Sequence, residues 1–129
     1  MSRVLIYIIT TIILIACGDI ADNKVILSER YFVDAIDDDK NRSLYYSLND
    51  GSGIGRVNNG VVAVGLDEKH IIIKQQIDNA YSYYILDIQK DSEAAKPEDS
   101  VSGPFNKSQF TDARNRLNVK NALTFSHTF

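Results

Sequence analysis

Residues 61–88 read VVAVGLDEKHIIIKQQIDNAYSYYILDI, and this stretch predicts the fold. Apolar residues recur there at alternate positions, which is the period of a half-buried β-strand. Three strand-like runs follow one another, with core-facing residues at Val62, Val64 and Leu66, then Ile71, Ile73 and Ile77, then Tyr84, Leu86 and Ile88. Asp67-Glu68 is short enough to join the first two runs as a hairpin. Short links favour antiparallel neighbours, because a parallel crossover needs a much longer connection.

Two similar runs precede this stretch. Val25, Leu27, Tyr31 and Val33 share one face of the first run, which Glu29 interrupts, and Leu44, Tyr46 and Leu48 mark the second. Turn-like segments at 37–41, 49–53 and 58–60 separate the runs. The glycine-rich segment 51–55 is predicted to be a flexible connection, because a phosphate-binding loop would need a helix after it.

The segment after these runs predicts a loop and then a helix. Residues 90–102 are charged and polar, which predicts a surface loop. Asn106 and Gln109 have the spacing of a capping box at a helix start. Phe105 and Phe110 have the spacing of a hydrophobic staple. The stripe that would face the core consists of Phe110, Ala113 and Leu117, and the helix is predicted to stop at Asn118.

The last nine residues alternate Leu123, Phe125, His127 and Phe129, which predicts a final strand. Residues 24–129 are therefore predicted to form a single α+β domain. Its antiparallel sheet would have about five to six strands, with one helix near the C-terminus packed on it.

The amino terminus has the features of an export signal. Residues 4–16 read VLIYIITTIILIA and carry no charge, and Arg3 precedes them. The run has the length of the apolar region of a signal peptide and is short for a membrane-spanning helix. Residues 1–16 are therefore predicted to be a signal peptide.

Leu14-Ile15-Ala16-Cys17 resembles the lipobox of bacterial lipoproteins. The resemblance implies cleavage before Cys17 and a diacylglyceryl group on its sulfur, with residues 17–23 as a lipidated tether. The membrane is then a partner through this lipid, and Gly18 favours the outer membrane, facing the periplasm, if the organism is Gram-negative. The alternative is a buried free cysteine in a signal anchor.

Composition and spacing argue against several kinds of site. The chain has 14 basic and 17 acidic residues, which is not the footprint of a nucleic-acid-binding protein. Asp37, Asp39 and Asn41 resemble the start of a calcium loop, but Arg42 and Leu48 stand where glycine and a bidentate glutamate are needed.

The two histidines, His70 and His127, lack the spacing of metal ligands. No group of acid, base and nucleophile stands out. The sequence therefore predicts no metal, no cofactor and no enzyme.

Tyr81-Ser82-Tyr83-Tyr84 is a cluster of aromatic residues in the last predicted strand of the central stretch. If Tyr84 faces the core, Tyr81 and Tyr83 lie on the opposite face, where they are the predicted partner surface. The alternative is that the helix or the tail covers that face.

Tyr83-Tyr84-Ile85-Leu86-Asp87, Gly103-Pro104-Phe105 and Phe110 resemble motifs of a family of small, uncharacterised bacterial lipoproteins, a domain of unknown function. Tyr84 replaces a commoner Trp and Phe105 a Leu, and the likeness is sharp only over residues 61–119. These motifs look structural, so the resemblance implies no catalytic residue.

The sequence thus favours a lipid-anchored bacterial envelope protein that is a non-enzymatic protein-binding module. Its partner would be another envelope protein. The alternative is an immunity or inhibitor lipoprotein that neutralises a toxin or a cell-wall hydrolase.

Overall fold

The computed structural model describes residues 23–35 and 40–129, and the strands in these ranges form two antiparallel sheets. The first sheet contains β1 (Val25–Ile26), β2 (Tyr31–Ala35), β3 (Arg42–Ser47) and β4 (Gly53–Val57), in that order. The second contains β5 (Val61–Leu66), β6 (His70–Ile77), β7 (Ala80–Asp87), β8 (Val101–Phe105) and β9 (His127–Thr128), in the order β8-β7-β6-β5-β9. The helices are α1 (Pro97–Ser100) and α2 (Lys107–Arg116), and a 3₁₀ turn spans Ile88–Lys90.

The two sheets pack face to face around an apolar core. The first sheet contributes Val33 and Leu44, and the second contributes Ile71, Ile73 and Leu86, all of them fully buried. Each such side chain stabilises the fold by roughly 1.5–3 kcal/mol relative to exposure. This core holds the two sheets together as a sandwich.

Helix α2 and the C-terminal tail, residues 119–125, cover the other face of the second sheet. Ile72 and Ile85 on that face form a second apolar cluster with Phe110 of α2 and with Val119 and Leu123 of the tail. The second sheet is therefore the middle of three layers. This explains why three consecutive residues of β6 are all buried: Ile71 and Ile73 face the first sheet, and Ile72 faces α2.

The prediction of a single sheet is wrong, since the structure has two sheets. The described chain is mostly β with a C-terminal helix, so the α+β class is only roughly supported. The first predicted strand is in fact two, because the chain turns at 27–30 and β1 pairs with β2. The glycine-rich connection also contains strand β4, which pairs with β3. Alternation reveals strands, but it does not reveal which sheet each one joins.

The central stretch behaves largely as predicted. Strands β5 and β6 form the expected hairpin across Asp67-Glu68, and β6 pairs with β7 along its full length. Tyr84 and Leu86 face the core between the sheets. Ile77 does not, because it lies at the tip of the β6–β7 hairpin and is exposed. Val62 is also outside that core, because the register shifts between Val61 and Ala63.

Two predictions for the C-terminal third need correction. The predicted loop at 90–102 contains α1 and the start of β8, and Asp91 and Ser100 within it are buried. The predicted last strand is ordered as a strand only at β9, which pairs with β5. Both segments are held by residues far away in the sequence, since Arg56 binds Asp91 and β5 pairs with β9. The alternation of apolar residues within a segment does not indicate such contacts.

Candidate functional site

The predicted surface tyrosines are separated by the packing of α2. Tyr83 is only 9% exposed, because its ring stacks on Phe110 with the centroids 4.8 Å apart. Tyr81 is 50% exposed, and the Lys74 ammonium lies 4.2 Å from the centroid of its ring. Strand alternation is as expected, but the helix covers Tyr83. Tyr83 therefore does not belong to an open sheet surface with Tyr81.

The cover over Tyr83 is incomplete and leaves a groove between α2 and the tail. The groove has a volume of about 360 Å³. Its floor is aromatic: the Phe110 centroid lies 4.8 Å from that of Tyr83 and 6.2 Å from that of Phe125. The lining residues are Tyr83, Lys107, Phe110, Thr111, Arg114, Asn121, Leu123, Thr124 and Phe125. We call this feature the α2 groove.

The start of α2 is fixed by the predicted capping box. The Asn106 carboxamide accepts the Gln109 N–H at 2.8 Å, and the Gln109 carboxamide accepts the Asn106 N–H at 2.9 Å. Phe105 is half-buried against the cluster that contains Phe110, as the staple spacing predicts. The helix ends at Arg116, and Asn118 follows with a φ of 57°, which turns the chain back along the helix.

Arg114 holds the tail against the helix, so that α2 forms one wall of the groove and the tail forms the other. Its Nη2 donates to the carbonyl oxygens of Lys120 at 2.9 Å and Leu123 at 2.7 Å. The guanidinium also lies 5.6 Å from the centroid of Phe110. The alternation of Leu123, Phe125, His127 and Phe129 predicts a strand and gives no sign that Arg114 and Phe125 form this groove.

The Lys120 side chain points to the sheet instead of the groove. Its Nζ lies 2.7 Å from Oε1 of Glu68, and both side chains are exposed. This hydrogen bond raises the pKa of Lys120 and lowers that of Glu68. Of the charged side chains that the structure describes, those of Lys107 and Arg114 line the α2 groove.

A buried polar cluster lies on the opposite side of the second sheet. Nε of Arg56 is 3.0 Å from the Asp91 carboxylate, and both side chains are 0% exposed. The carboxylate also accepts the Tyr31 hydroxyl at 2.8 Å and the Ser100 hydroxyl at 3.1 Å. Burial, together with the hydrogen bond to Asp91, raises the pKa of Tyr31, so this hydroxyl stays protonated and donates.

This cluster is built to hold structure. Nη2 of Arg56 donates to the Ser92 carbonyl at 2.9 Å, so the ion pair ties strand β4 to the segment after Ile88–Lys90. A carboxylate that accepts several charge-assisted hydrogen bonds out of contact with solvent cannot reach a substrate without local unfolding. No sequence pattern indicated this pairing.

The remaining candidate ligands do not come together in the described ranges. Asp37 and Asp39 lie outside the described residues, while the Asn41 carboxamide accepts the Gly60 N–H at 3.0 Å. His70 is buried in β6, and His127 lies in β9 beside Ser126. Within residues 23–35 and 40–129, no group of three or more His, Cys, Asp or Glu side chains could hold a metal ion.

The predicted signal peptide, residues 1–16, and the predicted lipid site at Cys17 lie outside the described residues. Among the helices of residues 23–35 and 40–129, none has the length and apolar character needed to cross a membrane.

Comparison with known sequences identifies one family. The model of the family described as "Protein of unknown function (DUF3997)" matches residues 28–128. This range contains β2 to β9 and both helices. No curated protein and no solved structure matches the chain. The predicted resemblance is thus confirmed for a domain of unknown function, whereas membership of a lipoprotein family stays a prediction.

Proposed function

The chain belongs to the DUF3997 family, and we propose that it is a lipid-anchored bacterial envelope protein that acts as a non-enzymatic protein-binding module. The anchor is the lipid on Cys17, which the Leu14-Ile15-Ala16-Cys17 pattern supports. The partner is another envelope protein. In a Gram-negative cell the domain faces the periplasm from the outer membrane, in agreement with Gly18.

The α2 groove is the observation that carries the binding role. Its aromatic floor and its volume of about 360 Å³ give it the concave, largely apolar form of a recognition site. Aromatic and arginine side chains dominate the energetics of protein interfaces, and Tyr83, Phe125 and Arg114 line this groove. An anchoring side chain of a partner would be desolvated there.

The buried polar cluster is not a candidate catalytic site. A catalytic carboxylate must be within reach of the reacting group. Asp91 is instead enclosed, and its oxygens are occupied by Tyr31, Arg56 and Ser100. Its chemistry is used for stability.

Replacing Cys17 with serine is expected to abolish lipidation. The thiol sulfur is the atom that would carry the diacylglyceryl group, and a serine hydroxyl does not replace it in the lipobox. Mass spectrometry of Cys17→Ser should find an unacylated precursor that keeps residues 1–16, while Ser28→Ala should be processed normally. Normal cleavage and normal detergent partitioning of Cys17→Ser would refute the anchor.

Position-specific photo-crosslinking in cells tests the binding role. Benzoylphenylalanine in place of the exposed Thr111 sits at the α2 groove, whereas the same residue in place of the exposed Asn49 sits on the first sheet's side. We expect an envelope protein to be captured from position 111 only. Capture of a secreted toxin or a wall hydrolase there would select the immunity or inhibitor role. Capture from neither position, or from position 49 alone, would contradict the proposal.

A further inference from the structure

Basic side chains outnumber acidic ones around α2. The whole chain has a net charge of −3, yet residues 106–129 contain four basic side chains and one acidic side chain. The basic ones are Lys107, Arg114, Arg116 and Lys120, and the acidic one is Asp112. The α2 region is therefore a positive patch on an otherwise acidic protein, and it attracts negatively charged groups.

The described charged side chains that line the α2 groove are all positive, whereas the surrounding patch also contains Asp112. Lys107 and Arg114 line the groove, and no Asp or Glu side chain of residues 23–35 and 40–129 does. Asp112 is exposed on the helix outside the lining, and Lys120 is paired with Glu68 on the sheet side. Among the side chains that the structure describes, a ligand that enters the groove therefore meets two positive charges and no negative one.

The floor of the groove favours an aromatic ligand. Tyr83, Phe110 and Phe125 present a cluster of rings, with Tyr83 and Phe125 6.3 Å apart and tilted by 45°. A further aromatic ring can pack against such a cluster in offset or edge-to-face geometry. At about 360 Å³ the groove is at the small end of the roughly 300–1,000 Å³ typical of ligand pockets, which suits one large side chain.

From these two properties we infer that the α2 groove binds a peptide segment in which an aromatic side chain is flanked by carboxylates. This inference rests on the proposed function and names the partner's chemistry. The aromatic ring of the segment packs on Phe125, the half-buried ring of the floor. Its carboxylates lie at Lys107 and Arg114, at the two sides of the ring.

A nucleic acid is a poorer occupant than an acidic peptide. It would carry its negative charges well beyond the patch, over a chain whose net charge is −3. A short peptide places a few carboxylates at the groove and leaves the rest of the surface untouched.

The test is a titration of the full-length chain with three synthetic peptides, followed by two-dimensional amide NMR. The probes are acetyl-Glu-Glu-Phe-Glu-Glu-amide, the same peptide with Ala for Phe, and the same peptide with Lys for every Glu. We expect the first to bind with a dissociation constant below about 1 mM and to shift resonances of α2 and residues 119–125. The alanine and lysine peptides should each bind at least about tenfold more weakly.

Two charge reversals on the same helix form a matched pair. Lys107→Glu changes a groove residue, and Arg116→Glu makes the same change of net charge at an exposed position outside the lining. An acidic residue in the first turn of a helix is favourable, so Lys107→Glu should fold normally. It should weaken binding of the first peptide at least about tenfold, whereas Arg116→Glu should change it less than about threefold.

Equal binding of the lysine peptide, equal effects of the two reversals, or no shift at millimolar peptide would each overturn the inference. Its failure is distinguishable from failure of the proposed function. If photo-crosslinking from position 111 still captures an envelope protein, the binding role stands and the peptide chemistry is wrong. If nothing is captured in cells, the binding role fails whatever the peptides do.

Discussion

Asp91→Ala is expected to lower the free energy of unfolding by about 3–5 kcal/mol, the range for removing one partner of a buried ion pair. The substitution leaves the Arg56 guanidinium buried with no carboxylate beside it. It also removes the acceptor of the Tyr31 and Ser100 hydroxyls. Chemical denaturation of the full-length chain measures the loss.

The exposed ion pair supplies the control for this experiment. Glu68→Ala breaks a bond of 2.7 Å to Lys120, but both side chains are in contact with water, so the free energy of unfolding should stay close to that of the wild type. The double variant Arg56→Met/Asp91→Leu should recover part of the loss, because no charge is then buried alone, while the Tyr31 and Ser100 hydroxyls still lack their acceptor. If Asp91→Ala and Glu68→Ala have equal effects, the buried pair does not stabilise the fold as its geometry indicates.

The contacts of Arg56 and Asp91 also predict how fast the backbone amides of the segment after Lys90 exchange with solvent. Arg56 binds the Ser92 carbonyl and Asp91 binds the Ser100 hydroxyl, so the pair holds this segment against β4. Hydrogen exchange of amides between residues 92 and 100 should therefore speed up in Asp91→Ala more than exchange in β6, which pairs with strands on both sides.

The parts of the fold that could be predicted from the sequence are those set by local chemistry. The β5–β6 hairpin follows from apolar alternation on both sides of Asp67-Glu68. The start of α2 follows from Asn106 and Gln109, whose side chains satisfy each other's backbone N–H groups. Residues a few positions apart decide these features, so a single sequence contains the information.

The division into two sheets and the buried pair depend on contacts between distant segments. Arg56 and Asp91 are 35 positions apart, and the sequence around each of them does not indicate that its side chain is buried. Asp91 stands at the start of a charged stretch that has the composition of a surface loop. The physical reason for its burial, the guanidinium of β4, becomes visible only when the strands are assembled.

The candidate site shows the same limit. Alternation correctly put Tyr83 on the face opposite Tyr84, and the helical stripe correctly put Phe110 on the buried side of α2. The groove exists because the tail turns back at Asn118 and places Phe125 beside these two rings. Arg114 holds that return through the carbonyls of Lys120 and Leu123, a contact that the strand-like alternation of the tail does not indicate.

Phe110→Ala is expected to cost about 3–5 kcal/mol of unfolding free energy, because a buried phenylalanine loses its transfer energy and leaves a cavity. Phe110 is buried between α2 and the second sheet, where it stacks on Tyr83 at 4.8 Å and contacts the cluster of Ile72 and Ile85. The neighbouring Thr111→Ala changes an exposed residue of the same helix and should leave stability nearly unchanged. Phe105→Ala should cost less than Phe110→Ala, because Phe105 precedes the helix and is only half-buried. Urea denaturation of the three variants would contradict this packing if Phe110→Ala and Thr111→Ala unfolded at the same denaturant concentration.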